Sequence, residues 1–199
     1  MSSPREAFVR ILEVLDLLEI EYLVGGSLAS SAHGIPRATR DVDFVVELHA
    51  NHVDKFASLL SNDFYVDSQT IQDALALGRP FLGRPFNVIH YETTYKFDFF
   101  PAGNDPFLRT ELKRRMFVEA APLGGEPLKW AVATAEDTIL SKLAWFKAGG
   151  ETSERQWNDV RGILRLSGPR LDREYLETWA PRLGVADLWQ RLLSEQKKN

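Results

Sequence analysis

The chain of 199 residues contains no cysteine. Disulfides, zinc–thiolate sites and thiol nucleophiles are excluded on that ground alone, and a reducing cytoplasm suits such a sequence. It has no apolar run near the roughly 20 residues that a membrane span requires. The segment Met1 to Glu6 lacks the apolar core of a targeting peptide. A cytoplasmic protein with no membrane partner is therefore expected. A basic excess is missing too: 24 Lys and Arg stand against 28 Asp and Glu, a net charge of −4. Binding driven by counterion release ordinarily uses a positive excess, so the balance weighs against a general DNA or RNA binder. The triplet Lys113-Arg114-Arg115 reads as a solvated helix end. No internal repeat, low-complexity stretch or flexible linker interrupts the chain.

What remains is the composition of an ordinary globular protein, 44% hydrophobic and 26% charged. Ser3, Pro4 and Glu6 predict a capped first helix with Phe8, Ile11, Leu12, Leu15 and Leu18 on its apolar face. Tyr22 to Val24 reads as a short buried strand ending at Gly25-Gly26, with Ser27 capping a helix to about His33. Asp41 to Glu47 reads as a second strand, followed by a helix from Asn51, a strand at Phe64 to Val66 and a helix from Ile71 to Leu77 that Gly78 ends. Phe86 to Tyr91 and Tyr95 to Phe100 predict a hairpin turning at Glu92-Thr93-Thr94. Pro106 opens another helix. After Gly124-Gly125 the texture becomes helical: Thr134 with Asp137, Ser153 with Gln156, and Asp172 are N-cap signals, and a last helix runs from Val185. The reading is an α+β catalytic domain over 1–132 and a C-terminal helical domain over 133–199. The five tryptophans read as packing, and the four histidines lack metal-ligand spacing.

Chemistry concentrates at three aspartates. Strand side chains two apart share a face, so Val42, Phe44 and Val46 should pack inward while Asp41 and Asp43 project together. Adjacent carboxylates repel unless a positive charge sits between them, and a hard divalent cation such as magnesium serves that purpose. Within Lys96-Phe97-Asp98-Phe99-Phe100, alternation turns Asp98 away from the phenylalanines. If the two strands are neighbours, three acids converge, enough for two metals or for one metal and a general base. Upstream, Gly25, Gly26 and Ser27 join a strand to a helix, where a close backbone and helix-start amides suit a phosphate.

An apolar residue, Gly-Gly-Ser and, about a dozen residues later, Asp-x-Asp together resemble the signature of the nucleotidyltransferase superfamily related to DNA polymerase beta. The stretch Gly34-Ile35-Pro36-Arg37-Ala38-Thr39-Arg40-Asp41-Val42-Asp43 is similar to that of AbiEii-like nucleotidyltransferases, which include toxins of toxin–antitoxin systems. Glu136 to Leu143 and Arg155 to Val160 resemble later motifs of that group, carrying Lys142 and Asp159. The resemblance implies a nucleotidyltransferase fold, a small mixed sheet with flanking helices plus a helical domain. It implies Mg2+, with Mn2+ as a substitute, on Asp41 and Asp43 and with Asp98 as the third acid. A nucleoside triphosphate would lie at Gly26 and Ser27, with Arg37 and Lys142 on its phosphates and Asp159 orienting Lys142. Lys142 is accordingly expected to face Asp41 and Asp43 across a cleft. The expected reaction moves a nucleoside monophosphate to a hydroxyl of a tRNA, a protein or a small molecule, and an antitoxin is a candidate partner. The competing class is a nucleotide- or partner-binding module of the same fold that has lost turnover.

Overall fold

The Ser3 hydroxyl accepts from the Glu6 amide while the Glu6 carboxylate accepts from the Ser3 amide. This reciprocal cap satisfies two donors that a helix start leaves open, and α1 (Pro4–Leu17) begins there. In the computed structural model, which describes residues 3–76, 83 and 85–196, the chain continues through β1 (Tyr22–Val24), α2 (Gly26–His33) and β2 (Asp41–Val46). A 3-10 turn at Ala50–His52 leads into α3 (Val53–Leu60), β3 (Phe64–Tyr65), α4 (Ser68–Ala76), β4 (Phe86–His90), β5 (Lys96–Pro101) and α5 (Pro106–Arg114). Then follow β6 (Met116–Ala120), β7 (Leu128–Val132), α6 (Ala135–Ala148), α7 (Glu154–Ser167), α8 (Arg173–Arg182) and α9 (Ala186–Gln196). The expected helix stop at Gly78 lies outside the described residues.

Two compact units divide the chain, one of residues 1–28 and 39–133, the other of residues 29–38 and 134–199. The first unit is mixed α/β. Among the described residues its seven strands form one sheet in the order β3-β4-β5-β2-β1-β7-β6. β2 and β5 run parallel, as do β1 and β7, and the remaining neighbours are antiparallel. The hairpin of β6 and β7 has no counterpart in the sequence reading. β6 is half exposed and lacks a clean apolar face, so its strand state comes from pairing with β7 rather than from its own pattern.

Alternation fixes what each face of the sheet carries. Phe44 is opposite Phe99, and Phe99 is opposite Phe86. Their rings stack at 5.0 Å with interplanar angles of 9° and 6°. Phe56 from α3 meets Phe99 edge-on, and Phe8 from α1 stacks on Phe44. All five are buried. Offset and edge-to-face aromatic pairs contribute about 0.5–1.5 kcal/mol each beyond their burial, so this stack anchors β4, β5 and β2 side by side. The neighbouring row Asp43, Asp98 and Asn87 points the other way and is polar.

The second unit is helical. Thr134 caps α6 and Ser153 caps α7, each accepting from the amide three residues on, while the Asp172 carboxylate accepts from the Tyr175 amide at the start of α8. Gly34 lies against α7: a Cβ there would stand 2.9 Å from both the Ile163 nitrogen and the Ser30 oxygen. Across the same contact, Ile35 covers Gly162. Small residues on both sides let the 34–35 segment reach the helix backbone.

Candidate active site

Register brings the acids together. Across β2 and β5 the pairs are Asp41 with Lys96 and Asp43 with Asp98, and across β5 and β4 the pair is Asp98 with Asn87. Because directly opposed residues share a face, Asp43, Asp98 and Asn87 form one row and Asp41 and Lys96 the next. Asp98 is 6% exposed, so the strand acid that the sequence turns outward lies under cover, with defined partners. Its Oδ2 takes the Lys96 ammonium at 2.7 Å, and its Oδ1 accepts from the Asn87 amide. The Thr39 hydroxyl donates to Asp41 Oδ1 at 2.7 Å, and the Tyr95 hydroxyl donates to the Thr39 carbonyl at 2.8 Å. The hydrogen bond that the Lys96 ammonium donates to Asp98 raises the Lys96 pKa above its ordinary value, aided by the charges of Asp98, Asp41 and Asp43 and opposed by partial burial.

Of the two glycines at the β1–α2 junction, only the second is required by its surroundings. Gly26 has φ +54°, and a Cβ on it would lie 1.7 Å from Asp43 Oδ2. A Cβ on Gly25 would meet nothing within 4 Å. The first turn of α2 therefore lies against the Asp43 carboxylate, and the Gly25 amide donates to the Asp43 carbonyl at 2.8 Å. Ser27 is buried one residue further along. Helix-start amides have no intrahelical acceptor, so this junction combines a close backbone with the polarity that suits an anion.

Among the described residues, no three His, Asp or Glu side chains are gathered tightly enough to form a ready-made metal cage. The reason is visible in the partners: Asp98 is turned to Lys96 and Asn87, and Asp41 is held by Thr39. The chemistry of the group still fits a hard divalent ion. The donors are carboxylate oxygens, and a cation, the Lys96 ammonium, already stands among them.

Arg37, Lys142 and Asp159 meet in the second unit. The Arg37 fork donates to both Asp159 oxygens, Nε to Oδ1 at 2.9 Å and Nη2 to Oδ2 at 2.8 Å. Lys142 Nζ donates to Oδ2 at 2.8 Å. The side chains of Asp159 and Lys142 are 8% and 9% exposed, and that of Arg37 24%. Burial opposes ionisation of Asp159, but the hydrogen bonds and charges of Arg37 and Lys142 outweigh it and hold its pKa below the ordinary carboxylate value. Asp159 therefore binds both cations that the sequence assigns to phosphate, the arginine more extensively than the lysine.

Lys96 and Asn87 carry no role in the sequence reading. The alternation Lys96-Phe97-Asp98 does contain the signal for the lysine, since it sets Lys96 on the face of Asp98. Nothing local marks Asn87, whose role follows from the β4–β5 register alone.

No family model matches this chain, and no curated protein sequence does. Solved structures do. The chain is similar to the solution structure of the antibiotic-resistance factor ANT(2'')-Ia, at 16% identity and a TM-score of 0.54, over 98% of this chain and 95% of that one. It is also similar to the crystal structure of ANT(2'')-Ia in complex with adenylyl-2''-tobramycin, at 12% identity and a TM-score of 0.55, over 92% and 97% of the two chains. The seven-stranded mixed sheet with its helices has the nucleotidyltransferase fold.

Proposed function

We propose that this protein is a nucleotidyltransferase that moves a nucleoside monophosphate from a triphosphate to a hydroxyl group and releases pyrophosphate. The observation that carries the reading is the shared face of Asp41, Asp43 and Asp98 on two adjacent strands, with the Gly26 turn pressed against Asp43. Asp41, Asp43 and Asp98 would hold Mg2+ or Mn2+, which supplies charge neutralisation and polarisation of the phosphate when bound. The amides at Gly26 and Ser27 bind phosphate oxygens. Asp98, oriented by Asn87, accepts the proton of the attacking hydroxyl. The new bond joins that oxygen to the α-phosphorus, and the bond between the α-phosphorus and its bridge to the β-phosphate breaks.

For the acceptor, a small polyhydroxyl molecule is the favoured class. The net charge of −4 suits a cationic acceptor better than RNA, and a structural neighbour was captured with adenylylated tobramycin. The Gly34 to Asp43 motif carries the second reading, a toxin that modifies a tRNA or a protein and has an antitoxin partner. The test is incubation with each α-labelled triphosphate and Mg2+, against an aminoglycoside panel, total tRNA and cell-extract protein. Label moving to one fraction, lost on metal chelation and in Asp43→Asn, supports transfer, and the labelled fraction names the acceptor. Nucleotide binding without label in any fraction would replace the enzyme with a binding module.

A further inference from the structure

The Lys96 ammonium stands where the fold concentrates negative charge. Its Nζ is 2.7 Å from Asp98 Oδ2, its own residue is the register partner of Asp41, and Asp43 is the register partner of Asp98. Lys96 therefore shares one sheet face with all three carboxylates. Asp98 has both oxygens taken, one by the ammonium and one by Asn87. Both partners reach solvent, Asn87 as an exposed residue of β4 and Lys96 with a side chain 43% exposed, and they differ in the stem: Asn87 is short, whereas Lys96 is long and flexible. An ion pair half open to water contributes little to stability. One partner is thus easily displaced, and it is the charged one.

We propose that Lys96 is a built-in counter-cation that holds the carboxylates together until a divalent ion arrives, and that it leaves Asp98 when the ion binds. The inference rests on the metal reading above and adds to it a residue that sets how readily the ion is taken up. A divalent ion offers two charges and several coordination bonds to carboxylate oxygens, so it outcompetes one ammonium. The displaced amine has solvent within reach of its stem. The lysine thereby weakens metal binding in the absence of nucleotide, and it relieves repulsion among the acids in the metal-free protein. At the separations of a close ion pair near a protein surface, one unit charge alters the binding of a cation by a factor of roughly ten or more.

The experiment is titration of the full chain with Mn2+ alone, followed by calorimetry and by the loss of free-ion EPR signal, for the wild type and Lys96→Met. Met keeps the stem and removes the charge. Lys96→Met is expected to bind Mn2+ roughly tenfold more tightly and to gain more thermal stability from Mn2+ than the wild type does. An independent arm needs no variant. With the lysines dimethylated using 13C-formaldehyde, the Lys96 resonance should shift when diamagnetic Mg2+ is added. Equal or weaker Mn2+ affinity in Lys96→Met, or a Lys96 resonance that ignores Mg2+ while other signals respond, overturns the counter-cation role and leaves the metal reading intact. Absence of ion binding by both proteins overturns both.

Discussion

Replacing Asp159 by Asn preserves the side chain's shape and removes its charge. The carboxylate accepts three hydrogen bonds from two cations. An amide in its place retains one oxygen and turns an NH2 group towards donors on Arg37 or Lys142. Breaking a buried ion pair from one side costs about 3–5 kcal/mol. The share of Arg37 is smaller because its side chain is a quarter exposed, so we expect a loss of about 3 kcal/mol. For a chain of this length that lowers the melting temperature by roughly 6–12 °C. Lys142→Met is the informative partner variant. It replaces the buried cation with an apolar group of similar length and leaves the Arg37–Asp159 fork in place, so its cost should stay near 1 kcal/mol or about a third of the first. The sign with pH follows from the lowered pKa of Asp159. Its contribution is fully present above the unfolded carboxylate value of about 4 and is lost as pH falls through the lower folded value. Thermal and urea unfolding of the three proteins between pH 7 and pH 3 reads all of this. A gap between wild type and Asp159→Asn below about 1 kcal/mol at pH 7, or a gap that widens on acidification, refutes the reasoning.

Three further outcomes are expected. Gly26→Ala should abolish nucleotide binding and cost about 1–3 kcal/mol through its positive φ and the collision with Asp43, whereas Gly25→Ala should be mild; equal nucleotide affinity in both, by fluorescence titration, would remove the turn from the site. Asp98→Asn should slow single-turnover transfer by roughly a hundredfold or more, and a rate near wild type would take Asp98 out of the chemistry. Gly34→Ala presses a methyl group onto two backbone atoms that cannot yield, so chemical denaturation should register a loss of about 1–3 kcal/mol; no change would mean that the 34–35 segment does not pack on α7 as described.

Local rules made much of the fold legible. The caps at Ser3, Thr134, Ser153 and Asp172 each mark a helix start by side-chain chemistry within a few residues. The Asp41–Asp43 alternation likewise predicts the burial of Val42, Phe44 and Val46, though Val45 on the acids' face is buried as well. What escaped depends on distant partners. The 116–132 hairpin has no local counterpart in the sequence, because β6 lacks an apolar face of its own and β7 joins the sheet by pairing with β1 at Val24 and Val132. Asn87 becomes a site residue only through the order β4-β5-β2, which sets it beside Asp98, whereas the alternation of β5 already places Lys96 on the face of Asp98. Residues 29–38 belong to the helical unit because Arg37 is bound by Asp159, 122 positions later in the chain, and Gly34 lies on α7. No neighbouring residue announces either contact.

That last assignment bears on how such a protein can be recombined. The backbone changes unit after residues 28, 38 and 133, so the helical unit is discontinuous in sequence. A gene fusion joined at residue 133 would deliver a foreign helical segment without the Gly34–Arg37 strand of contacts that its own α7 expects. The ten residues from 29 to 38 also lead directly into the Asp41–Asp43 strand. Exchange of the helical part between homologues therefore requires two crossovers bracketing that decapeptide as well as the later junction.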